Sequence, residues 1–150
     1  VSALQIVEDA AREVLTTTAG AVVTESHHPI VPDKQFNGFV ATISLVGNRG
    51  GTLIIYCHRP LAVGITRAML GMEDEEPDDD TVRDALGEVV NQIGGTIKRK
   101  LGASGGEMTL SVPVVIAGAP LSHCVRSSAD PISVELIIGE GRLAVCLWPA

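Results

Sequence analysis

The sequence predicts an α+β domain: an antiparallel sheet with helices packed on one face, including one long central helix. Three observations carry this prediction. Residues 81–101, TVRDALGEVVNQIGGTIKRKL, keep a helical period for their whole length. Two β-rich runs flank a Gly-Asn turn at 47–51, the pattern of a hairpin. Helices come in blocks instead of alternating with strands, which favours α+β over a parallel α/β sheet. At 150 residues the chain fits one domain, 1–150, with length enough for a real core. No internal repeat or linker divides it.

Residues 2–18 read as the first helix. Leu4, Val7, Ala10, Ala11, Val14 and Leu15 form one apolar stripe, with Ser2 as N-cap and Gly20 as the stop. Ala21 to Thr24 suits a short strand, and His27, His28, Pro29 and Pro32 then break any element. Phe36 to Val46 is expected as a strand, with Phe39, Ala41, Ile43 and Leu45 on one face and Val40, Thr42 and Ser44 on the other. Thr52 to Cys57 returns beside it. Pro60 suits the first turn of a helix running to Leu70, with Gly71 ending it.

The run EDEEPDDD at 73–80 reads as a solvated surface loop whose carboxylates repel one another. It leads into the long helix, with Asp80 or Thr81 as N-cap. Lys98, Arg99 and Lys100 complement the other end of that helix, and the glycines of 102–106 terminate it. Met108 to Ile116 is β-rich, and Pro113 places that position on an edge or at a bulge. Gly118 to Leu121 reads as a loop, His123 to Ser127 as a short strand. Ile132 to Ile138 alternates, Gly139-Glu140-Gly141 turns the chain, and Leu143 to Trp148 returns as the last strand.

Composition narrows the function. A net charge of −7 argues against a general nucleic-acid binder, which needs a basic surface to displace counterions. No apolar run approaches the roughly 18 residues of a membrane span. The first residues lack the basic start and apolar block of a secretory signal, so a cytoplasmic location is expected. Cys57, Cys124 and Cys146 cannot all pair and match no zinc spacing, which suits reduced core thiols. His27-His28 and the acidic run lack further ligands at usable spacing and read as solvated. No phosphate-loop or nucleophile-elbow pattern is present.

The long helix holds the chemistry. Val82, Leu86, Val89, Val90, Ile93, Ile97 and Leu101 fall in a stripe about 120° wide. On the opposite side Asp84, Glu88, Asn91 and Gly95 gather within roughly 60°, flanked by Gly87 and Gly94. A solvent face is usually filled with good helix formers, whereas each of these glycines costs about 1 kcal/mol relative to Ala. The residues alone allow two readings: a docking surface presenting a carboxylate and an amide, or a polar face of poor propensity. Asp84 has a competing role, since Thr81-x-x-Asp84 has capping-box spacing.

Asp84-x-x-x-Glu88-x-x-Asn91-x-x-Gly94, inside an otherwise amphipathic helix, resembles the signature helix of the CheC/CheX/FliY family of chemotaxis phosphatases, and CheX-like members most of all. CheC-like members usually carry two such helices. The helix at 2–18 has Glu8 and Glu13 but no Asn three residues after either, which suits the single site of a CheX-like chain. The resemblance implies hydrolysis of the phospho-aspartate of a response-regulator receiver domain such as CheY. Asn91 would orient the attacking water and Glu88 would pair with the receiver lysine. Asp84 would be peripheral, and Gly87, Gly94 and Gly95 would allow close docking. No cofactor of its own is implied, since Mg²⁺ is expected on the receiver. A homodimer joined through sheet edges is implied as well. The alternative is a non-catalytic receiver-binding or dimerisation module.

Overall fold

A computed structural model describes residues 2–27, 35–122 and 129–150. Helix α1 (Ala3–Ala19) begins where the Ser2 hydroxyl accepts the Gln5 N–H at 3.2 Å and ends on Gly20, whose φ of 60° suits a residue without Cβ. Strand β1 (Val23–His27) follows, slightly later than expected. Strands β2 (Gln35–Gly47) and β3 (Gly51–Cys57) form the predicted hairpin, closed by a hydrogen bond from Gly50 N–H to Gly47 O at 3.1 Å. Helix α2 (Arg59–Leu70) leads through the acidic loop into α3 (Asp79–Leu101), the 23-residue helix.

A 3₁₀ turn at Gly102–Gly105 ends α3, and β4 (Met108–Leu110) and β5 (Val114–Ser122) follow. The single strand expected over 108–116 is thus two, split by Pro113, which cannot donate to a ladder. The loop expected at 118–121 is a strand instead. Among the described residues β5 pairs only with β2 and lies at an edge, and Pro120 falls at the register shift opposite Phe36 to Gly38, the kind of place a strand tolerates proline. The strand expected over 123–127 lies outside the described residues, as do His28, Pro29, Pro32 and Cys124. Strands β6 (Ile132–Ile138) and β7 (Gly141–Pro149) close the chain.

Among the described residues every strand pairing is antiparallel, and the order is β1-β6-β7-β3-β2-β4, with β5 also beside β2. The period-2 alternation sorts the side chains. Phe39, Ala41, Ile43 and Leu45 of β2 join Leu53 and Ile55 of β3, Val134 and Leu136 of β6, and Leu143 and Val145 of β7 on the face that carries the helices. Val40, Ile54, Tyr56 and Cys146 form a smaller buried cluster on the other face. The apolar stripe of α3 is inside up to its last turn: Val82, Leu86, Val89, Val90 and Ile93 are 0% exposed, Ile97 is buried, and Leu101 at the end is partly buried. Burying each such side chain contributes about 1.5–3 kcal/mol, so Ile93→Ala is expected to remove roughly 2–5 kcal/mol. Thr66, also fully buried, donates its hydroxyl to Ala62 O at 2.8 Å and so leaves no polar group unmatched.

Candidate active site

The start of α3 is fixed by its acidic lead-in. Asp78 is the N-cap, accepting the Thr81 N–H at 2.8 Å and the Thr81 hydroxyl at 2.7 Å. These hydrogen bonds hold its carboxyl below the usual carboxylate range, the backbone N–H first. Capping therefore falls to Asp78, not to Asp80 or Thr81, and Asp84 stands a full turn inside the helix with no capping role. The loop is solvated as expected, yet it is tethered. Arg67 donates to Glu75 O at 2.6 Å and to the Glu76 carboxylate at 3.0 Å, and Arg59 pairs with Asp79 at 2.6 Å. Arg83 pairs with Asp80. Arg59 also lies over the Phe39 ring, 4.9 Å from its centroid.

Asp84 and Glu88 are exposed and Asn91 is half-buried on the open side of α3. All three line one groove of about 580 Å³, together with Arg83, Gly87, Ser111, Val112, Pro113 and Val115. The far wall exists because the chain leaves the β-ladder between β4 and β5. There Ser111 N–H donates to Ser44 O at 2.9 Å, while the Ser111 hydroxyl accepts the Ser44 N–H at 2.9 Å. The side chain thus repairs the ladder that Pro113 interrupts, and Val112 is turned out to 83% exposure.

Glu88 accepts a hydrogen bond from Gln92 Nε2 at 2.8 Å, and the Thr18 hydroxyl donates to Gln92 Oε1 at 2.6 Å. No hydrogen bond to another described residue engages the Asn91 side chain. Its amide therefore keeps one acceptor and two donors for whatever enters the groove.

The glycines do not all serve the open face. A Cβ on Gly94 would lie 3.4 Å from both Leu45 Cδ2 and Leu110 Cδ2, so this buried residue lets the chain's own sheet approach α3. Gly87 is buried at the floor of the groove, where a Cβ would sit 3.6 Å from Val115 and 3.7 Å from Pro113. Gly95 is half-exposed, with Leu110 Cδ1 at 4.0 Å as the nearest contact.

The remaining candidates have structural places. His27 is exposed and 3.3 Å from the Glu25 carboxylate. Cys57 and Cys146 are buried on opposite faces of the sheet, and desolvation pushes both thiols up to about 12, far from a reactive thiolate. Arg99 and Lys100 bridge Glu13 of α1 at 2.6 and 3.1 Å. Among the described residues no group of three or more His, Cys, Asp or Glu is placed to hold a metal ion. No described helix is long and apolar enough to cross a membrane.

Sequence reasoning missed Ser111, Val112, Pro113 and Val115 as the second wall, and Gln92 and Thr18 as partners of Glu88. Gln92 carried a signal, its i+4 spacing from Glu88. Thr18, 74 residues from Gln92, carried none.

The family model of the chemotaxis phosphatase CheX matches residues 39–136, a span that holds α3 and both walls of the groove. The chain belongs to this family. In overall fold it is similar to the chemotaxis protein CheX from Vibrio vulnificus, with TM-score 0.82, 24% identity, and 99% of this chain and 97% of that chain covered. The CheX-CheY-BeF3-Mg+2 complex from Borrelia burgdorferi matches with TM-score 0.84 at 21% identity, covering 99% and 98%. FliY from Thermotoga maritima matches with TM-score 0.66 at 19% identity, covering 97% and 85%. Among curated proteins no sequence matches.

Proposed function

We propose that this chain hydrolyses the phospho-aspartate of a response-regulator receiver domain, with Asn91 orienting the attacking water and Glu88 pairing with the receiver's active-site lysine. One observation carries the reading: Glu88 and Asn91 face the same open groove on α3, with the Asn91 amide engaged by no other described side chain. Membership of the CheX family supports it, as does the fold shared with a CheX that was solved bound to CheY, BeF3 and Mg+2.

The chemistry asks little of the phosphatase. Water attacks phosphorus, the bond from phosphorus to the aspartyl oxygen breaks, the carboxylate leaves with the electron pair, and the protons of the water stay on the released phosphate or pass to bulk solvent. Catalysis of such a transfer is mostly positioning and electrostatics. Mg²⁺ and the lysine belong to the receiver, so this chain needs no cofactor of its own. An amide does not titrate, and its oxygen can accept a hydrogen bond from the water while holding it in line with phosphorus. Good positioning is worth several kcal/mol of barrier, roughly a hundredfold or more in rate. Glu88 and Asp84 give the groove two carboxylates against the one guanidinium of Arg83, which Asp80 already pairs, and this balance complements the lysine and the metal ion around the receiver's phosphoryl group. Gly87 at the floor and Gly95 on the open face would permit close approach.

The same reading places the protein in the cytoplasm, where receivers reside, and as a homodimer joined through sheet edges. β5 offers one edge, with Val114 and Ile116 about half exposed. Incubation with an acetyl-phosphate-labelled receiver tests the activity. Wild type should speed phosphate loss, and a rate for Asn91→Ala equal to wild type would remove the catalytic role of Asn91. Saturable binding to the phosphorylated receiver with an unchanged decay rate would instead identify a non-catalytic binding module.

A further inference from the structure

We propose that Thr18 and Gln92 form a positioning relay that holds the Glu88 carboxylate at the groove. The inference rests on the reading of Glu88 as the contact for the receiver lysine. The Thr18 hydroxyl lies 2.6 Å from Gln92 Oε1, and Gln92 Nε2 lies 2.8 Å from Glu88 Oε1. The direction of this chain is forced. An ionised carboxylate only accepts, so Gln92 must turn its NH₂ toward Glu88. Its carbonyl oxygen then faces Thr18, which has an O–H to give. Flipping the amide would set two acceptors against each other.

The relay joins the site to a second helix. Thr18 lies in the last turn of α1, which runs antiparallel to α3 and is clamped to it by the bridges from Arg99 and Lys100 to Glu13. Thr18 and Gln92 are half-buried at that junction, whereas Glu88 is exposed. An exposed glutamate samples several rotamers, and fixing one on docking costs side-chain entropy. Tied through Gln92 to α1, Glu88 already occupies one arrangement before a partner arrives. Only Oε1 is engaged by a described residue, which leaves Oε2 for an incoming cation.

The residue type at 92 fits this role. Helices commonly place Lys four residues after Glu, forming an ion pair. A lysine there would neutralise the carboxylate that must meet another lysine. Glutamine orients Glu88 and leaves its charge uncompensated.

The test follows receiver dephosphorylation over a range of phosphoreceiver concentrations for Thr18→Val, Thr18→Ser, Gln92→Leu and Gln92→Lys. Thr18→Val and Gln92→Leu are repeated in a Glu88→Ala background. Thr18→Val and Gln92→Leu should raise KM about five- to tenfold with kcat little changed, the scale set by ordering one long side chain on docking. Thr18→Ser should match wild type, and Gln92→Lys should raise KM at least as much as Gln92→Leu. In the Glu88→Ala background Thr18→Val and Gln92→Leu should have no further effect, since there is no carboxylate left to position. An undiminished effect in that background, or an unchanged KM for Thr18→Val, would overturn the relay.

A readout free of activity separates this from the phosphatase reading. The Gln92 side-chain amide should give ordered, shifted NMR signals in the free protein that collapse to those of a solvated glutamine in Thr18→Val and in Glu88→Ala. If wild type fails to dephosphorylate any receiver, the phosphatase reading falls, and the relay stands or falls on these amide signals. Signals that ignore both substitutions overturn it.

Discussion

Helices α1 and α3 both carry acidic side chains on polar faces, and the two use them in opposite ways. Glu8 of α1 is nearly buried, 3.0 Å from Arg12 and 2.7 Å from the Ser26 hydroxyl of β1. Glu13 is held by Arg99 and Lys100 of α3. Glu8 and Glu13 are thus employed in joining elements of the fold, while Asp9, the third acid of α1, accepts an exposed hydrogen bond from the Gln5 amide at 2.8 Å. Glu88 of α3 meets only a neutral amide, and Asp84 and Asn91 beside it face an open groove. Acidic residues at helical spacing therefore do not mark a site by themselves. What distinguishes α3 is the combination: Glu88 has no cation partner among the described residues, and it shares one groove with Asp84 and with an Asn91 amide that no described residue engages, whereas Asp9 lies outside that groove.

The largest expected effect strikes the open side. Glu88→Ala combined with Asn91→Ala should lower receiver dephosphorylation by about a hundredfold or more, in line with the loss of a preorganised hydrogen-bonding group. Urea unfolding of the same variant should stay within about 0.5 kcal/mol of wild type, because neither side chain is buried. Glu8→Ala should do the reverse. It leaves Arg12 and the Ser26 hydroxyl without their acceptor and should cost about 1–3 kcal/mol of stability, with the rate per folded molecule unchanged. A Glu8→Ala variant that folds normally but fails to dephosphorylate would make α1 a second site and erase the contrast.

Gly95→Ala sharpens the comparison within α3 itself. With room around its Cβ position, the substitution should stabilise the helix by about 0.5–1 kcal/mol in a thermal or urea melt. It should also raise KM for the receiver if docking uses that open face. The smallest effect is on pH dependence. Asp78, Asp79 and Glu13 have pKa values lowered in the fold by hydrogen bonds from Thr81, Arg59 and Arg99 respectively. A carboxyl lowered in the folded state contributes stability fully above its unfolded value, and that contribution is lost as pH falls through the lowered value. Melting temperature should therefore hold from neutral pH down to about pH 5 and decline below about pH 4. The decline should be shallower in Asp78→Asn.

Local pattern made much of this molecule legible. The stripe of α3 and the alternation of β2 fixed which side chains face inward, because those periods follow from covalent geometry. The motif face was legible for the same reason, since residues i, i+4 and i+7 share a side of any α-helix. The N-cap was not, because Asp78, Asp79, Asp80 and Thr81 are all competent caps and sequence does not rank them. Gly118 and Pro120 mimicked a loop because the edge placement and register shift that accommodate them in β5 depend on pairing with β2, which periodicity does not name. The groove's second wall was hidden for a related reason. Ser111 to Val115 comes to α3 only after β5 pairs with β2, across more than seventy residues of chain. The closeness of Gly94 to Leu45 and Leu110 was hidden in the same way, since both contacts come from strands distant in sequence.

The most direct measurement pairs binding with rate for Asn91→Ala. Affinity for a BeF3-loaded receiver is measured beside phosphate loss from the phosphorylated one. Binding close to wild type, with phosphate loss falling to the receiver's own rate, is what a water-orienting amide requires. Phosphate loss that remains as fast as wild type while binding is intact would contradict the assignment of Asn91.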